Sequence, residues 1–202
     1  MTYKNKMINM ALVAFLALGF TACKTTTVER VDTDSVQDLS GNWNDTDSRL
    51  VSSRMVTDMM SRKWLTSYQV KNGKNPVLIV GAVRNLSHEH INTRTFIADL
   101  ERELINSGEI DFVASSTERQ EIRGERSDQA ENASMGTQNV AGEETGADFM
   151  LKGEINTIFD AAADTKVKYY QVDLTLISLK DNRKVWLGQK KIKKVLETGR
   201  FR

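Results

Sequence analysis

Apolar residues recur along much of the chain with two spacings, and these predict helices and strands in a definite order. A spacing of three to four residues is typical of a helix with one buried face. The segments with helical character are 47–65, 92–107, 115–131 and 133–144. Asp47 or Ser48 can cap the first helix, and Gly108 can end the second. Ser115 and Glu118 form a capping box for the third, which is so highly charged that it can bury little.

Alternation and short apolar runs predict the strands. The segments with strand character are 77–83, 110–114, 147–159, 166–178 and 184–195. The first is a continuous apolar run, which favours burial on both faces, and with the second helix and second strand it makes a β-α-β unit. The fourth alternates apolar with polar residues, as in an antiparallel strand with one face buried. We therefore expect an α/β (α+β) fold, a small mixed sheet of four or five strands flanked by helices.

The first residues have the organisation of an export signal. Two lysines precede an apolar run over 7–20, which is shorter than the ~20 residues of a membrane span, and small residues then lead to Cys23. The sequence around Cys23 resembles a bacterial lipobox, which implies cleavage after residue 22 and acylation of Cys23. A signal peptide cleaved nearby with an incidental cysteine, or a free thiol, are the alternatives. Residues 24–44 are polar and predict a solvated tether.

Composition and charge narrow the range of functions. The chain has 28 Lys and Arg residues against 27 Asp and Glu residues, which does not favour a nucleic-acid binder dominated by phosphate contacts. Hydrophobic residues make up 40% of the chain and there is one proline, as in an ordinary folded domain. The positive charge is concentrated in residues 183–202, where glutamate 197 is the sole acid. The predicted domain therefore carries a basic end on an acidic body.

Motifs for catalysis are missing from the sequence. It contains no nucleophile elbow, phosphate-binding loop, dinucleotide fingerprint or zinc-protease helix, and it has one cysteine. His88, Glu89 and His90 form one cluster of donor atoms, but a transition-metal site needs three or four ligands and no third histidine exists. We expect this cluster to be a solvated loop, and we expect no enzyme activity, no metal and no cofactor.

The last strand provides the candidate partner-binding residues. These are Trp186, Lys190, Lys191, Lys193 and Lys194. In an extended segment the first and last of the four lysines lie on one face, and the middle two lie on the other. They can be the lysines of an edge strand that discourage aggregation, or a docking face for an acidic partner or for anionic glycan or lipid. The tryptophan is more typical of a core or rim position than of a binding hot spot.

Several short segments together resemble the LpoB family of outer-membrane lipoproteins that activate a class A penicillin-binding protein. The segments are the lipobox at Cys23, 77–80 with Arg84 and Asn85, 112–115, 146–153 and 185–188. The resemblance implies a domain related to the N-terminal domain of the TolB protein. It also implies a non-enzymatic role: binding the synthase in the periplasm and stimulating peptidoglycan synthesis.

The resulting domain organisation is a signal peptide over 1–22, a tether over 23–44 and an LpoB-like domain over 45–202. Lys24 follows the cysteine where inner-membrane retention signals place aspartate, so the resemblance implies an outer-membrane anchor. The tether is shorter than in family members with the established role and lacks proline. An assembly lipoprotein of another envelope complex, or a glycan- or lipid-binding module, are the alternative functions.

Overall fold

The computed structural model describes residues 26–33, 35–139 and 141–197. The export signal and Cys23 lie outside these residues. The chain divides into two units, residues 1–35 and 36–202. In the described part of the first unit, the Ser35 hydroxyl donates a hydrogen bond to the Asp32 carbonyl over 2.6 Å. The second unit starts at Val36, so it includes residues 36–44, which belong to the tether predicted from the sequence.

The second unit contains four helices and five strands in its described residues. The helices are α1 (Asp45–Met60), α2 (Lys63–Asn72), α3 (Thr93–Asn106) and α4 (Ser116–Asn132). The strands are β1 (Val77–Asn85), β2 (Asp111–Phe112), β3 (Phe149–Ala162), β4 (Thr165–Ser178) and β5 (Lys184–Glu197). They form one sheet in the order β2-β1-β3-β4-β5. β1 is parallel to β2 and β3, whereas β3, β4 and β5 form an antiparallel meander. The predicted mixed α+β fold is confirmed.

Helices α1 and α3 pack against each other and against one face of the sheet. The alternating residues of β4 point into this core, as their spacing predicts: Tyr170, Val172, Leu174 and Leu176 are all 0–1% exposed. The opposite face of the meander is polar and open to solvent, and Leu187 on that face of β5 is 65% exposed. We call it the open face. Because β4 buries one of its two faces, apolar and polar residues alternate along it. β1 lies deeper in the sheet and does not show this alternation.

The first predicted helix is wrong in two respects. It starts earlier, because the Asn44 side chain accepts a hydrogen bond from the Asp47 amide and the Asp47 carboxylate accepts one from the Asn44 amide. This capping box makes Asn44 the N-cap and Asp47 the third helical residue. The helix also breaks at Arg62, whose backbone is extended, and α2 follows as a separate helix.

One further prediction is wrong, and another is confirmed only in part. Residues 133–144 form no helix in their described part, since Ala133 is extended and Gly142 has φ of +92°. Almost the whole segment is exposed, so no apolar burial would favour helical order. The second strand is limited to Asp111 and Phe112. The capping box of α4 is confirmed, and the helix buries no residue.

Candidate docking site on the last strand

β5 lies at an edge of the sheet and pairs with β4 alone among the described strands. Its register places Lys191 opposite Gln171 and Lys193 opposite Tyr169, both on the open face. Lys190 lies opposite the buried Val172, so it points to the helical face, and Lys194 does the same. The predicted division of the four lysines between two faces is confirmed.

Lys194 is committed to contacts within the domain. Its Nζ lies 2.7 Å from an Asp47 carboxylate oxygen and 3.0 Å from one of Asp38, and it donates to the Asn42 carbonyl over 3.1 Å. Burial acts to lower the pKa of Lys194, but the two carboxylates outweigh it and the pKa is raised. The side chain thus holds residues 38–47 against the end of β5.

Trp186 is a core residue, which is the position its sequence context favoured. It is 6% exposed, and its Nε1 donates to an Asp58 carboxylate oxygen on α1 over 2.9 Å. Its six-membered ring covers Gly188, where a Cβ would overlap the ring and come within 3.1 Å of Met55. Trp186 therefore joins β5 to α1 and presents little surface to a partner.

The exposed lysines adjoin apolar side chains. Ile158, Tyr169 and Lys193 form one row across the open face, and Val195 follows in the next row. Ile158 is 65% exposed and Val195 is 58% exposed. β1 pairs with β3 no further than Ile155, so this part of the meander extends beyond the parallel strands. We call these residues, with Lys191, the distal patch.

The part of the open face next to the distal patch is electrostatically balanced. Arg84 lies 3.0 Å from Glu154, and the amide nitrogens of Gln171 and Gln189 donate to the two carboxylate oxygens of Asp173. The side-chain ammonium groups of Lys191 and Lys193, by contrast, form no ion pair or hydrogen bond with another described residue. The distal patch consequently combines two cations, unpaired among the described residues, with exposed aliphatic groups and the half-buried ring of Tyr169. Such a composition is suited to binding an acidic protein surface.

A polar cluster that no sequence pattern indicates lies on the helical side of the sheet. His88 and His90 are exposed as expected, but Glu89 between them points inward. Its carboxylate accepts hydrogen bonds from Lys168 Nζ (2.6 Å), Tyr170 Oη (2.8 Å) and the Trp43 amide (3.0 Å). Burial acts to raise the pKa of Glu89, but these three donors outweigh it and the pKa is lowered. We call Glu89 and its three donors the Glu89 cluster.

The Glu89 cluster has a structural role. It joins the loop after β1, strand β4 and the residues before α1, because the Tyr170 hydroxyl also lies 2.9 Å from the Gly41 carbonyl oxygen. Across the described residues there is no group of three or more His, Cys, Asp or Glu side chains arranged to hold a metal ion. Nor does any helix in the described ranges have the length and apolar character needed to cross a bilayer.

Comparison with known proteins identifies the family. Residues 47–192, from α1 into β5, match the family described as the peptidoglycan-synthase activator LpoB. The chain belongs to the LpoB family. The resemblance noted in the sequence is thereby confirmed, and the chain is a member of a family of regulatory lipoproteins of peptidoglycan synthesis that are not known as enzymes.

Solved structures of LpoB are similar to the chain. The LpoB C-terminal domain from Escherichia coli has a TM-score of 0.42 and 16% identity, covering 72% of this chain and 98% of that one. The same domain from Salmonella enterica has a TM-score of 0.41, 18% identity and the same two coverages, 72% and 98%. Lipoprotein GNA1162 from Neisseria meningitidis has a TM-score of 0.37 and 14% identity, covering 59% of this chain and 83% of that one. No curated protein sequence matches the chain.

Proposed function

We propose that this LpoB-family protein is a non-enzymatic, lipid-anchored regulator in the periplasm, which binds and stimulates a class A penicillin-binding protein in peptidoglycan synthesis. Docking takes place through the distal patch. The observation that carries this assignment concerns Lys191 and Lys193, whose ammonium groups have no partner among the described residues. They lie beside exposed apolar side chains on a strand at the edge of the sheet.

The chemistry of the distal patch suits a regulatory contact. Apolar and aromatic side chains at the centre of an interface contribute most of its affinity, and cations at the rim steer an acidic partner and set its orientation. Tyr169 and Ile158 supply the first property, and Lys191 and Lys193 supply the second. Trp186 and Lys194 support docking indirectly, because their side chains attach β5 to α1 and do not face solvent.

A lipid anchor at Cys23 limits where the partner can lie. Residues 24–35, at ~3.4 Å per residue, reach roughly 40 Å when fully extended. As a flexible chain they span roughly 19 Å on average. A synthase anchored in the inner membrane must therefore extend most of the way to an outer-membrane-anchored domain.

Capture from detergent-solubilised envelopes tests the docking assignment. The full-length protein is used as bait beside the double variant Lys191→Glu/Lys193→Glu. A matched control, Lys63→Glu/Arg94→Glu, reverses two exposed charges elsewhere and alters net charge equally. We expect the wild type and the control to recover a penicillin-binding protein and the distal variant to lose it. Recovery by all three baits, or by none, contradicts the assignment.

Three further measurements separate the proposal from its alternatives. Added to the captured synthase, the purified protein should increase glycan polymerisation and crosslinking. Consistent recovery of another envelope complex in place of a synthase would support the assembly role. Sedimentation with isolated sacculi or anionic vesicles, lost in Lys191→Glu/Lys193→Glu, would support the glycan- or lipid-binding role.

The anchor has its own test. Replacing Cys23 by Ser removes the thiol that would be acylated, and two or more acyl chains are what make membrane attachment stable. We expect Cys23→Ser to move the protein from the membrane fraction to the soluble periplasmic fraction or to leave it uncleaved. Unchanged fractionation, or a mass spectrum showing an intact leader on the wild type, contradicts the lipobox assignment.

A further inference from the structure

A groove of about 630 Å³ lies at the end of the sheet remote from the distal patch, between α2 and the turn that joins β4 to β5. Three aromatic rings form its floor. Trp64 and Tyr68 of α2 meet Phe149 of β3 edge to face, with ring centroids 5.3 Å and 5.4 Å apart. The volume is within the range of ~300–1,000 Å³ that ligand sites occupy.

The polar ends of these rings already have partners inside the domain. Trp64 Nε1 donates to the Met59 carbonyl over 2.8 Å, and the Tyr68 hydroxyl donates to Asp148 over 2.6 Å. The same Asp148 oxygen accepts the Val77 amide over 2.9 Å, which ties the floor to the start of β1. Burial, with Asp148 adding to it, raises the pKa of Tyr68 to about 12, so the hydroxyl remains a donor at neutral pH. The floor is thus a preformed apolar surface.

The rim of the groove is positively charged. Residues 63–76 contain three lysines and no acid, and two of these lysines, Lys71 and Lys74, line the groove. Lys180 lies on the opposite wall, beside Arg183, whose guanidinium is 2.7 Å from Asp181. No ion pair joins Lys71, Lys74 or Lys180 to any described side chain. Three lysines without an ion pair to a described side chain therefore lie around the aromatic floor, and the nearby Asp181 is paired with Arg183.

We propose that this groove binds an acidic peptide segment of a partner protein, which inserts one bulky apolar side chain against the aromatic floor and places its carboxylates on Lys71, Lys74 and Lys180. Charge complementarity selects an acidic occupant. The recess selects a peptide over a membrane surface, because the half-buried rings of Trp64 and Tyr68 lie in the groove between α2 and the β4–β5 turn, where a flat bilayer does not reach. The site goes beyond the proposed function, since it shares no residue with the distal patch.

Selection from a display library of short random peptides tests the proposal. The detergent-solubilised full-length protein is used as the target, in parallel with Lys71→Glu/Lys180→Glu. We expect the wild type to enrich peptides in which acidic residues flank an aromatic residue or leucine. An enriched peptide, labelled and followed by fluorescence anisotropy, should bind the double variant at least about tenfold more weakly, which corresponds to about 1.4 kcal/mol.

Controls keep the result specific to the groove. Lys191→Glu/Lys193→Glu, altered at the distal patch, should bind the peptide as the wild type does, and both double variants should retain the wild-type unfolding midpoint. Replacing the apolar anchor of the peptide by glycine should abolish binding. Failure to enrich any peptide, enrichment of peptides without acids, or equal binding to Lys71→Glu/Lys180→Glu overturns the proposal. Binding to phosphatidylglycerol vesicles in place of peptide also overturns the proposal.

Discussion

The hydroxyl of Tyr170 offers a sharp test of the Glu89 cluster, because replacing Tyr170 by Phe removes one oxygen and little else. The ring is 0% exposed and packs edge to face with Trp43, with centroids 5.6 Å apart. The hydroxyl is 2.8 Å from both Glu89 carboxylate oxygens and 2.9 Å from the Gly41 carbonyl oxygen. Phenylalanine preserves the apolar contacts and leaves the carboxylate with two donors.

A buried hydrogen bond to a charged group contributes about 1.5–3 kcal/mol, and removing one partner leaves the other incompletely solvated. We therefore expect Tyr170→Phe to lower the free energy of unfolding by about 2 kcal/mol. For a domain of this size that corresponds to roughly 4–8 °C in the melting temperature.

Urea unfolding followed by circular dichroism measures the change. Tyr169→Phe is the matched control, because Tyr169 is the adjacent residue on the open face, and the variant should remain within about 0.5 kcal/mol of wild type. In a double-mutant cycle with Glu89→Gln, the two losses should be non-additive by about 1 kcal/mol or more, as for residues in direct contact. Equal stability of the two tyrosine variants, or simple additivity with Glu89→Gln, would refute the reasoning.

Two other predictions follow from the same core. Gly188→Ala places a methyl group into the Trp186 ring, and we expect a loss of about 1–3 kcal/mol in the unfolding free energy, with a changed near-ultraviolet spectrum. Glu89 has a lowered pKa, so it contributes stability above its ordinary value of 4.5 that is lost as the pH falls through its folded value. The stability difference between wild type and Glu89→Gln should therefore shrink below pH 4.5 in unfolding curves.

Each of these has a control within the chain. Gly124 of α4 has open space around its Cα, so Gly124→Ala should cause no loss of stability; a loss equal to that of Gly188→Ala would contradict the steric explanation. For the acid titration, Asp181 has a lowered pKa but lies in an exposed turn, where pairing contributes little. If Asp181→Asn and Glu89→Gln respond to acid alike, burial of the Glu89 cluster is not the cause.

Local patterns predicted the elements that depend on neighbouring residues. The alternation in β4 identified its buried face, and Ser115 with Glu118 identified the start of α4. Each of these signals is formed by residues that are close together in the sequence. The start of α1 follows the same rule, because Asn44 forms a capping box with Asp47, and it lies before the predicted start at residue 47.

The candidate site was predicted only in part, because its contacts join distant segments. The positions of the four lysines followed from alternation, but the pairing of Lys194 with Asp38 and Asp47 spans about three quarters of the chain. Glu89 contacts Lys168 and Tyr170 across separations of 79 and 81 residues, and its neighbours in the sequence are exposed. No periodicity marks such residues, since their environment is created by the packing of α1 against the sheet.

The polar segment after α4, residues 133–146, is a suitable place to insert a probe. Its described residues are almost all exposed, and they attach to α4 through surface contacts such as those of Glu144 with Arg123 and Arg126. Neither the distal patch nor the groove between α2 and the β4–β5 turn includes any of residues 133–146. An affinity tag or fluorophore inserted there would report on the protein in living cells without obstructing either end of the sheet.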